Sequence, residues 1–411
     1  MLIQICRLIT AFTNVVVKIL QITEIQIHYL IQYNINSLKI ASVVGARPNF
    51  IKVAAVHDVI SSFSEHTIIH TGQHYDYRLS EIFFKEFDLP KPNFELEVGS
   101  GTPGLQIGEM MKRLQRIFTK DNKFDVVLVY GDTNSTFAGA LCAAKSGLRV
   151  AHIEAGLRSF DRRMPEEINR IMTDHVSDYL FAPTRTAVSN LKREHVNGRI
   201  VLSGDVSVEI VKHAVKKLIP KSHVINDLRL NEHGASYILV TIHRAENTYS
   251  KETLLSLLRA CKILSNQRED LKIVFPIHPR TANFLKHVKL YSRLKNCKNV
   301  QITKPLGYID FIALMQNAKK ILTDSGGVQK ESYLLGIPCI TLRKNTEWVE
   351  TLKARGNMLI DANSDKIVKA IKDWMPPAHF NKRQIFGNGR TSEKIQDTLI
   401  EEILSPRCAV Q

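Results

Sequence analysis

Three carboxylates between Val126 and His175, those of Asp132, Glu154 and Glu166, could carry proton-transfer chemistry. Moving a proton at carbon takes one group to accept it and another to return it, so acids gathered on one ligand-facing edge suit that task. The spacing puts each acid at an element boundary. Asp132 falls just past a buried strand over Val126–Tyr130, and Glu154 just past a second strand over Arg149–Ile153. Pro165 fits the first position of a helix, which places Glu166 in its first turn and Arg170 one turn later on the same face. Ser135 to Ser146, between the two strands, is Ala-rich and helix-compatible. A strand–helix–strand unit implies parallel strands joined by a right-handed crossover. Open parallel sheets bind ligands beyond the carboxyl ends of their strands, so Asp132 and Glu154 are expected to face one cleft. Plain structural roles compete: Asp132 as a helix cap, Glu154 as a surface acid, Glu166–Arg170 as an ion pair along a helix. Three acids together, with Gly131 and Gly156 beside them, favour chemistry.

A second set of polar residues follows strands in the other half. Tyr237–Ile242 ends at His243-Arg244, Leu271–Ile277 at His278-Pro279-Arg280, Ile321–Thr323 at Asp324-Ser325-Gly326-Gly327, and Ile337–Leu342 at Arg343. Ser325-Gly326-Gly327 at a helix start offers unhindered N–H groups and a positive helix end, which suit a phosphate. The competing role is a plain Ser cap with glycines for tight packing. Glu331, further along that helix, could accept from ribose hydroxyls. His243 could donate to a departing phosphate or cap a strand end; His278 is the weaker candidate. No metal-ligand spacing appears among the histidines and acids.

The elements that must position these residues alternate. Lys39–Val44 is a strand, Gly45-Ala46-Arg47-Pro48 a turn, and Pro48 opens a helix containing Lys52. Thr67–His70 is a second strand, 79–87 a helix, 90–103 a loop, and Leu105–Phe118 an amphipathic helix. Tyr179–Ala182 and Ile200–Leu202 are strands around a helix over Thr186–Glu194. Ser203 to Val206 marks a junction, and a Gly-rich hinge over Phe386–Gly389 precedes a final helix, Ser392–Leu404. The division expected is an extension over 1–38, an N-terminal Rossmann-like domain over 39–205, and a C-terminal one over 206–389. The helix 390–405 is free to return to the first. Residues 1–38 are apolar but broken by Arg7, Lys18 and Glu24, too short a run to span a bilayer. They read as a mispredicted start or an accessory helix, in either case dispensable for activity.

The 411 residues exceed one ordinary core. Six scattered cysteines, with no CxxC, read as reduced thiols in a cytoplasmic protein. The net charge of +16 is spread along the chain without a Lys/Arg run, so phosphorylated ligands are expected rather than nucleic acid.

The segments GARPNFIK, VYGDTNST, HIEAGLRS, MPEEINR, TIHRAEN, LTDSGGVQKE and TEWVE, in this order through both halves, strongly resemble the non-hydrolysing UDP-N-acetylglucosamine 2-epimerases. The resemblance covers 39 to about 400. It implies an α/β fold of the GT-B type, two Rossmann-like domains with parallel sheets facing a central cleft, and interconversion of UDP-GlcNAc and UDP-ManNAc in polysaccharide biosynthesis. It implies acid/base roles for Asp132, Glu154 and Glu166, and assistance to UDP departure by His243. UDP and sugar contacts fall on Arg47, Lys52, Arg170, Leu306, Phe311, Ser325, Gly326, Gly327, Glu331 and Arg343. The partners it implies are a UDP-sugar and a second copy of the chain in a homodimer, with no nucleic acid, membrane, metal or cofactor.

Two departures bear on function. Relatives activated by their own substrate carry a Gln-His-Arg motif where this chain has Gln73-His74-Tyr75-Asp76. HTGQHYD, FFKEFDLPKP and NTEWVE lie closer to the subgroup that includes epimerases of UDP-diacetamido-uronic acids. The competing classes are a GT-B glycosyltransferase, a hydrolysing epimerase, and a non-catalytic nucleotide-sugar or RNA binder. Three clustered acids speak against the last, because carboxylates near a phosphate weaken binding unless they do chemistry.

Overall fold

The computed structural model describes residues 38–73, 84–119, 124–232, 236–268 and 270–404. The expected accessory segment, most of the expected helix over 79–87 and the run His74-Tyr75-Asp76 lie outside them; of that helix, 84–86 are helical.

Two parallel sheets organise the chain. The first holds seven strands: β1 (Lys39–Val44), β2 (Glu65–His70), β3 (Phe94–Glu95), β4 (Val126–Tyr130), β5 (Arg149–Ile153), β6 (Tyr179–Ala182) and β7 (Arg199–Leu202), in the order β3-β2-β1-β4-β5-β6-β7. The second holds six: β8 (Ser236–Thr241), β9 (Leu271–Pro276), β10 (Val300–Thr303), β11 (Lys320–Thr323), β12 (Cys339–Leu342) and β13 (Asn357–Ile360), in the order β10-β9-β8-β11-β12-β13. Every pairing is parallel. This is the GT-B type of α/β fold. Strand order reverses between β1 and β4 in one sheet and between β8 and β11 in the other, which is where open sheets part to admit a ligand.

The central strands are apolar because both faces are covered. In β4, Val126, Leu128 and Tyr130 pack into one core cluster while Val127 and Val129 pack into another on the opposite face. The edges are different. β10 is half-exposed throughout and β3 is two residues long, so neither carries the apolar run that marks a central strand. The expected loop over 90–103 accordingly contains β3, and Pro103 starts the next helix rather than ending the loop.

The helices that position the site are α1 (Arg47–Ser61), α2 (Pro103–Thr119), α3 (Asn134–Lys145), α4 (Pro165–Val176), α5 (Arg185–Arg193), α6 (Ser207–His213), α7 (Tyr308–Asn317), α8 (Gly326–Leu335) and α9 (Thr391–Leu404). Asn49 fixes the start of α1: its Oδ1 accepts from the Ala46 N–H at 3.1 Å and its Nδ2 donates to the Tyr130 carbonyl at 2.8 Å. That ties the turn after β1 to the end of β4. The final helix α9 lies against α1 with Ile395 and Leu399 fully buried, and Arg149 and Arg199 hold its last turn through Glu401 and Glu402.

The chain passes between the halves twice, and the passes touch. The Asp205 N–H donates to the Phe386 carbonyl at 2.9 Å. Gly204 and Gly387 meet there with φ of 87° and 90°, and a Cβ on Gly387 would stand 3.1 Å from the Gly204 Cα. Both the backbone conformation and the close approach demand glycine.

Candidate active site

Glu154 leaves β5 with φ of 77°, a conformation that costs a non-glycine residue of order 1–3 kcal/mol and persists only where its surroundings enforce it. Those surroundings centre on Asp174 of α4, which is fully buried. Its carboxylate meets His152 Nδ1 at 2.7 Å, Arg158 Nη1 at 2.7 Å and the Gly156 N–H at 3.1 Å, so it grips residues on either side of Glu154. The other nitrogen of His152 lies 2.8 Å from the Gly131 carbonyl, which links the Glu154 turn to the Asp132 turn. Burial works to raise the Asp174 carboxyl, but His152 and Arg158 outweigh it and hold it below the usual carboxylate range. Asp174→Ala is expected to cost about 1–3 kcal/mol in urea unfolding, because the buried His152 ring and Gly156 N–H lose their acceptor, while Arg158 keeps Glu194 at 2.8 and 2.6 Å. A depressed carboxyl stabilises the fold above its unfolded value near ~4, and the contribution fades as pH falls through the lower folded value. Unfolding curves of Asp174→Asn should therefore depend less steeply on pH below ~4 than those of the wild type.

The Glu154 side chain is buried between two ammonium groups. Oε2 pairs with Lys52 of α1, and Oε1 accepts from Lys330 Nζ of α8 at 2.9 Å, across the boundary between the halves. Lys330 also donates to Asp205 Oδ2 at 2.7 Å. Burial, then the neighbouring Lys330, push the Lys52 ammonium down to about 8. Gly131, with φ of 69°, leaves room for this pair; a Cβ there would sit 3.0 Å from Glu154 Oε2.

Asp132 is not the cap of α3. Thr133 fills that role by accepting from the Thr136 N–H at 3.3 Å, which leaves the half-exposed Asp132 carboxylate to face Arg170 Nη1 at 3.5 Å. Asn169 holds the Asp132 carbonyl at 3.0 Å. Glu166 is half-buried on α4, and Arg170 pairs with Asp132 and Glu167 instead of Glu166. Glu167 is committed to structure: it accepts from the Ser159 N–H and hydroxyl at 2.9 Å each and from the Phe160 N–H at 2.8 Å. The Arg170 guanidinium is buried at 1 % exposure, yet none of its three nitrogens has an acceptor in hydrogen-bonding geometry among the described residues.

The second half answers with a histidine and a helix end. His243, on the loop after β8, places Nδ1 3.2 Å from Asp324 Oδ1, with its side chain 41 % exposed. Asp324, fully buried at the end of β11, also accepts from the His243 and Arg244 N–H groups and from Asn247. Burial would raise its carboxyl, but these donors hold it low. It is therefore an ionised acceptor that orients the imidazole. His278 caps its own helix, accepting from the Arg280 N–H at 3.1 Å. Ser325 occupies the N-cap of α8 but makes no side-chain cap bond, so the plain-cap role is not its role here. Gly326 lies against Glu347 Oε1, where any Cβ would collide. Glu347 is pushed down to about 2: burial opposes this, and Arg343, Arg170 and Arg244 overcome it. Arg343 is buried, with Nη1 2.9 Å from Glu347 Oε2 and Nη2 3.9 Å from Met164 Sδ of the first half.

Of the remaining expected residues, Arg47 begins α1 and its side chain lies outside the described residues. Glu331 is half-buried on α8, while Leu306 and Phe311 pack against the core cluster around α7. Sequence reasoning missed Lys330, Asp205, Asp174, Asp324 as a buttress, and Glu347. Lys330, Asp324 and Glu347 sit inside motifs it singled out; what marks them is burial together with a charged or N–H partner.

The family model for UDP-N-acetylglucosamine 2-epimerase matches residues 60–400. The chain belongs to this family. It is an epimerase by that membership. It is 50% identical over 363 residues to the UDP-N-acetylglucosamine 2-epimerase homolog of Methanococcus maripaludis, covering 88% of this chain and 99% of that protein. It is 42% identical over 369 residues to the UDP-2,3-diacetamido-2,3-dideoxy-D-glucuronate 2-epimerase of Pseudomonas aeruginosa, covering 88% of this chain and 99% of the other. Among solved structures, the Methanocaldococcus jannaschii UDP-GlcNAc 2-epimerase in complex with UDP-GlcNAc and UDP superposes with a TM-score of 0.81 at 42% identity, covering 89% of this epimerase and all of that chain. Among the described residues, no helix of this family member is long and apolar enough to cross a membrane.

Proposed function

We propose that this epimerase interconverts UDP-GlcNAc and UDP-ManNAc by eliminating and re-adding UDP. The observation that supports the reading is the presence of two chemistries at strand ends of two halves that touch through Lys330 and Glu154. Asp132, Glu154 and Glu166 follow strands and open a helix on one side; a His243–Asp324 pair and the Ser325-Gly326-Gly327 helix end stand on the other. The C2 proton of an N-acetylhexosamine is not acidic, because no carbonyl is attached to C2. Breaking the anomeric C–O bond first gives an oxocarbenium-like centre, which acidifies the C2–H. A carboxylate then takes the proton, and the C–H electron pair becomes the C1–C2 double bond of 2-acetamidoglucal. An acid returns a proton to the opposite face, and a UDP oxygen re-forms the bond to C1. Two faces call for two proton-transfer groups, hence more than one carboxylate. The departing diphosphate is stabilised by donors already in place, for which His243, Arg170 and the N–H groups of α8 are suited.

A specific observation favours a second substrate. The relative named for a UDP-diacetamido-glucuronate is as similar to this chain, at 42%, as the solved UDP-GlcNAc 2-epimerase is. The chemistry at C1 and C2 is unchanged; the sugar differs at C3 and C5. Incubating the enzyme with each UDP-sugar in deuterated water, followed by proton NMR, tests both. The expected result is a C2 epimer carrying deuterium at C2 from UDP-GlcNAc. Turnover of the diacetamido-uronate alone would transfer the assignment to that sugar. Release of a free hexosamine, or no turnover of either, would overturn the reading.

A further inference from the structure

Lys330 belongs to the second half but spends its charge on the first. We propose that Lys330 is a positioning residue that holds the Glu154 carboxylate ionised and oriented from across the boundary between the halves; this rests on the reading of Glu154 as a proton-transfer group. The lysine is 2 % exposed, so its ammonium has no access to water in exchange for protein partners. On one side stands the Trp348 ring, with its centroid 4.5 Å from Nζ. On the other are Glu154 Oε1 at 2.9 Å and Asp205 Oδ2 at 2.7 Å. Asp205 lies on the pass between the halves, where its N–H is bonded to Phe386, and its Oδ1 accepts from the Ser207 N–H at 2.8 Å. It is thus fixed to the pivot, whereas Glu154 belongs wholly to the first half. Only when α8 is seated against that half does Glu154 hold its second cation.

The charged groups facing Glu154 are few. Lys52 comes from α1, Lys330 from α8 and Asp205 from the pass; Asp132 and Arg170 act on the same cluster through Lys52. Two ammonium groups and two carboxylates balance. Glu154 cannot swing to another partner, because its backbone is pinned at positive φ and both of its oxygens are taken. Lys52 is pushed down to about 8 by burial and by Lys330, so its hold on Glu154 weakens as pH approaches that value. At 2.9 Å from Oε1, Lys330 adds a second positive charge that favours the carboxylate of Glu154 over its neutral acid.

The test is a titration of Glu154 itself in the full chain with UDP bound. Enzyme labelled with 13C at the glutamate carboxyl carbon is followed by NMR, and the Glu154 signal is the one missing from Glu154→Gln. Removing a cation at this range should raise the carboxyl midpoint by about 1–3 pH units, so Lys330→Met is expected to move it up by that much. The acidic limb of kcat/KM should follow, and Lys330→Arg should bring both most of the way back. Lys330→Met leaves Asp205 buried without its cation and can fail to fold for that reason. The charge-balanced Lys330→Met, Asp205→Asn pair then serves in the same titration, with a smaller rise expected because a neighbouring negative charge leaves together with the contacting cation. A Glu154 midpoint unchanged in a folded variant that still binds UDP would overturn the proposal. The titration does not depend on which sugar turns over, so a wild type that epimerises neither UDP-sugar counts against the elimination reading alone.

Discussion

Glu154→Gln and Asp132→Asn are each expected to lower kcat/KM by about 10²–10⁴-fold, the usual loss when a general acid or base is removed. The two variants should separate in stability. Asp132 is half-exposed, and its one ion pair among the described residues, to Arg170, is at 3.5 Å, so an amide there loses chemistry and little else. Glu154 is buried between Lys52 and Lys330, and a neutral amide leaves two buried ammonium groups facing each other. Lys52 can answer by giving up a proton, since it is already pushed down to about 8. Glu154→Gln should therefore melt at lower temperature than Asp132→Asn, with the deficit shrinking as pH rises towards 8, because Lys52 facing a neutral amide sheds its proton at lower pH than Lys52 facing a carboxylate. Glu166→Gln tests the third acid in the same assay. A fully active amide at any of the three positions would remove that residue from the proton-transfer set. Equal melting temperatures for Glu154→Gln and the wild type at pH 7 would contradict the electrostatic account of the Glu154 clamp.

Much of this arrangement was legible in the sequence, and the reasons are local. Val126–Tyr130 and Arg149–Ile153 are central strands covered on both faces, so they read as apolar runs with polar residues at their ends. Pro165 announces a helix by its fixed φ, and Ser325-Gly326-Gly327 announces a helix end open to an anion. The edge strands β3, β10 and β13 escaped because they are short and half-exposed, and so lack that run. The residues missed at the site escaped for a different reason. Lys330 matters because it meets Glu154, 176 positions away, and Asp205, 125 positions away. Asp174 matters because it meets His152 and Gly156 across a turn of the backbone. Nothing in the local sequence distinguishes such a lysine or aspartate from a solvated one. The neighbours that give Lys330 its meaning come from the other half of the molecule.

Arg170→Lys is expected to cost about 10²–10³-fold in kcat/KM, in line with removal of a donor that meets developing charge. The guanidinium is buried, yet its three nitrogens lack acceptors in bonding geometry, and its flanking carboxylates stand at 3.4 and 3.5 Å. A buried donor group in that condition carries an unpaid desolvation penalty. An anion bridging to it removes the penalty at the moment of binding, and a departing diphosphate is such an anion. The planar fork of arginine can serve two oxygens at once, which a lysine ammonium cannot imitate. The substitution preserves the charge that balances Asp132, Glu167 and Glu347, so the free protein should fold normally. What should change is the response to UDP. A ligand at about 100 times its dissociation constant stabilises the native state by about 2.7 kcal/mol, and the rise in melting temperature at fixed UDP should be much smaller in Arg170→Lys. During turnover the weakened grip should let UDP escape before re-addition, so free UDP and 2-acetamidoglucal should accumulate where the wild type returns both to product. A redox route through a C3 ketone would give no glycal from this or any carboxylate variant. An Arg170→Lys enzyme with wild-type turnover and a wild-type thermal response to UDP would show that the unsatisfied guanidinium serves the fold and leaves the diphosphate to other donors.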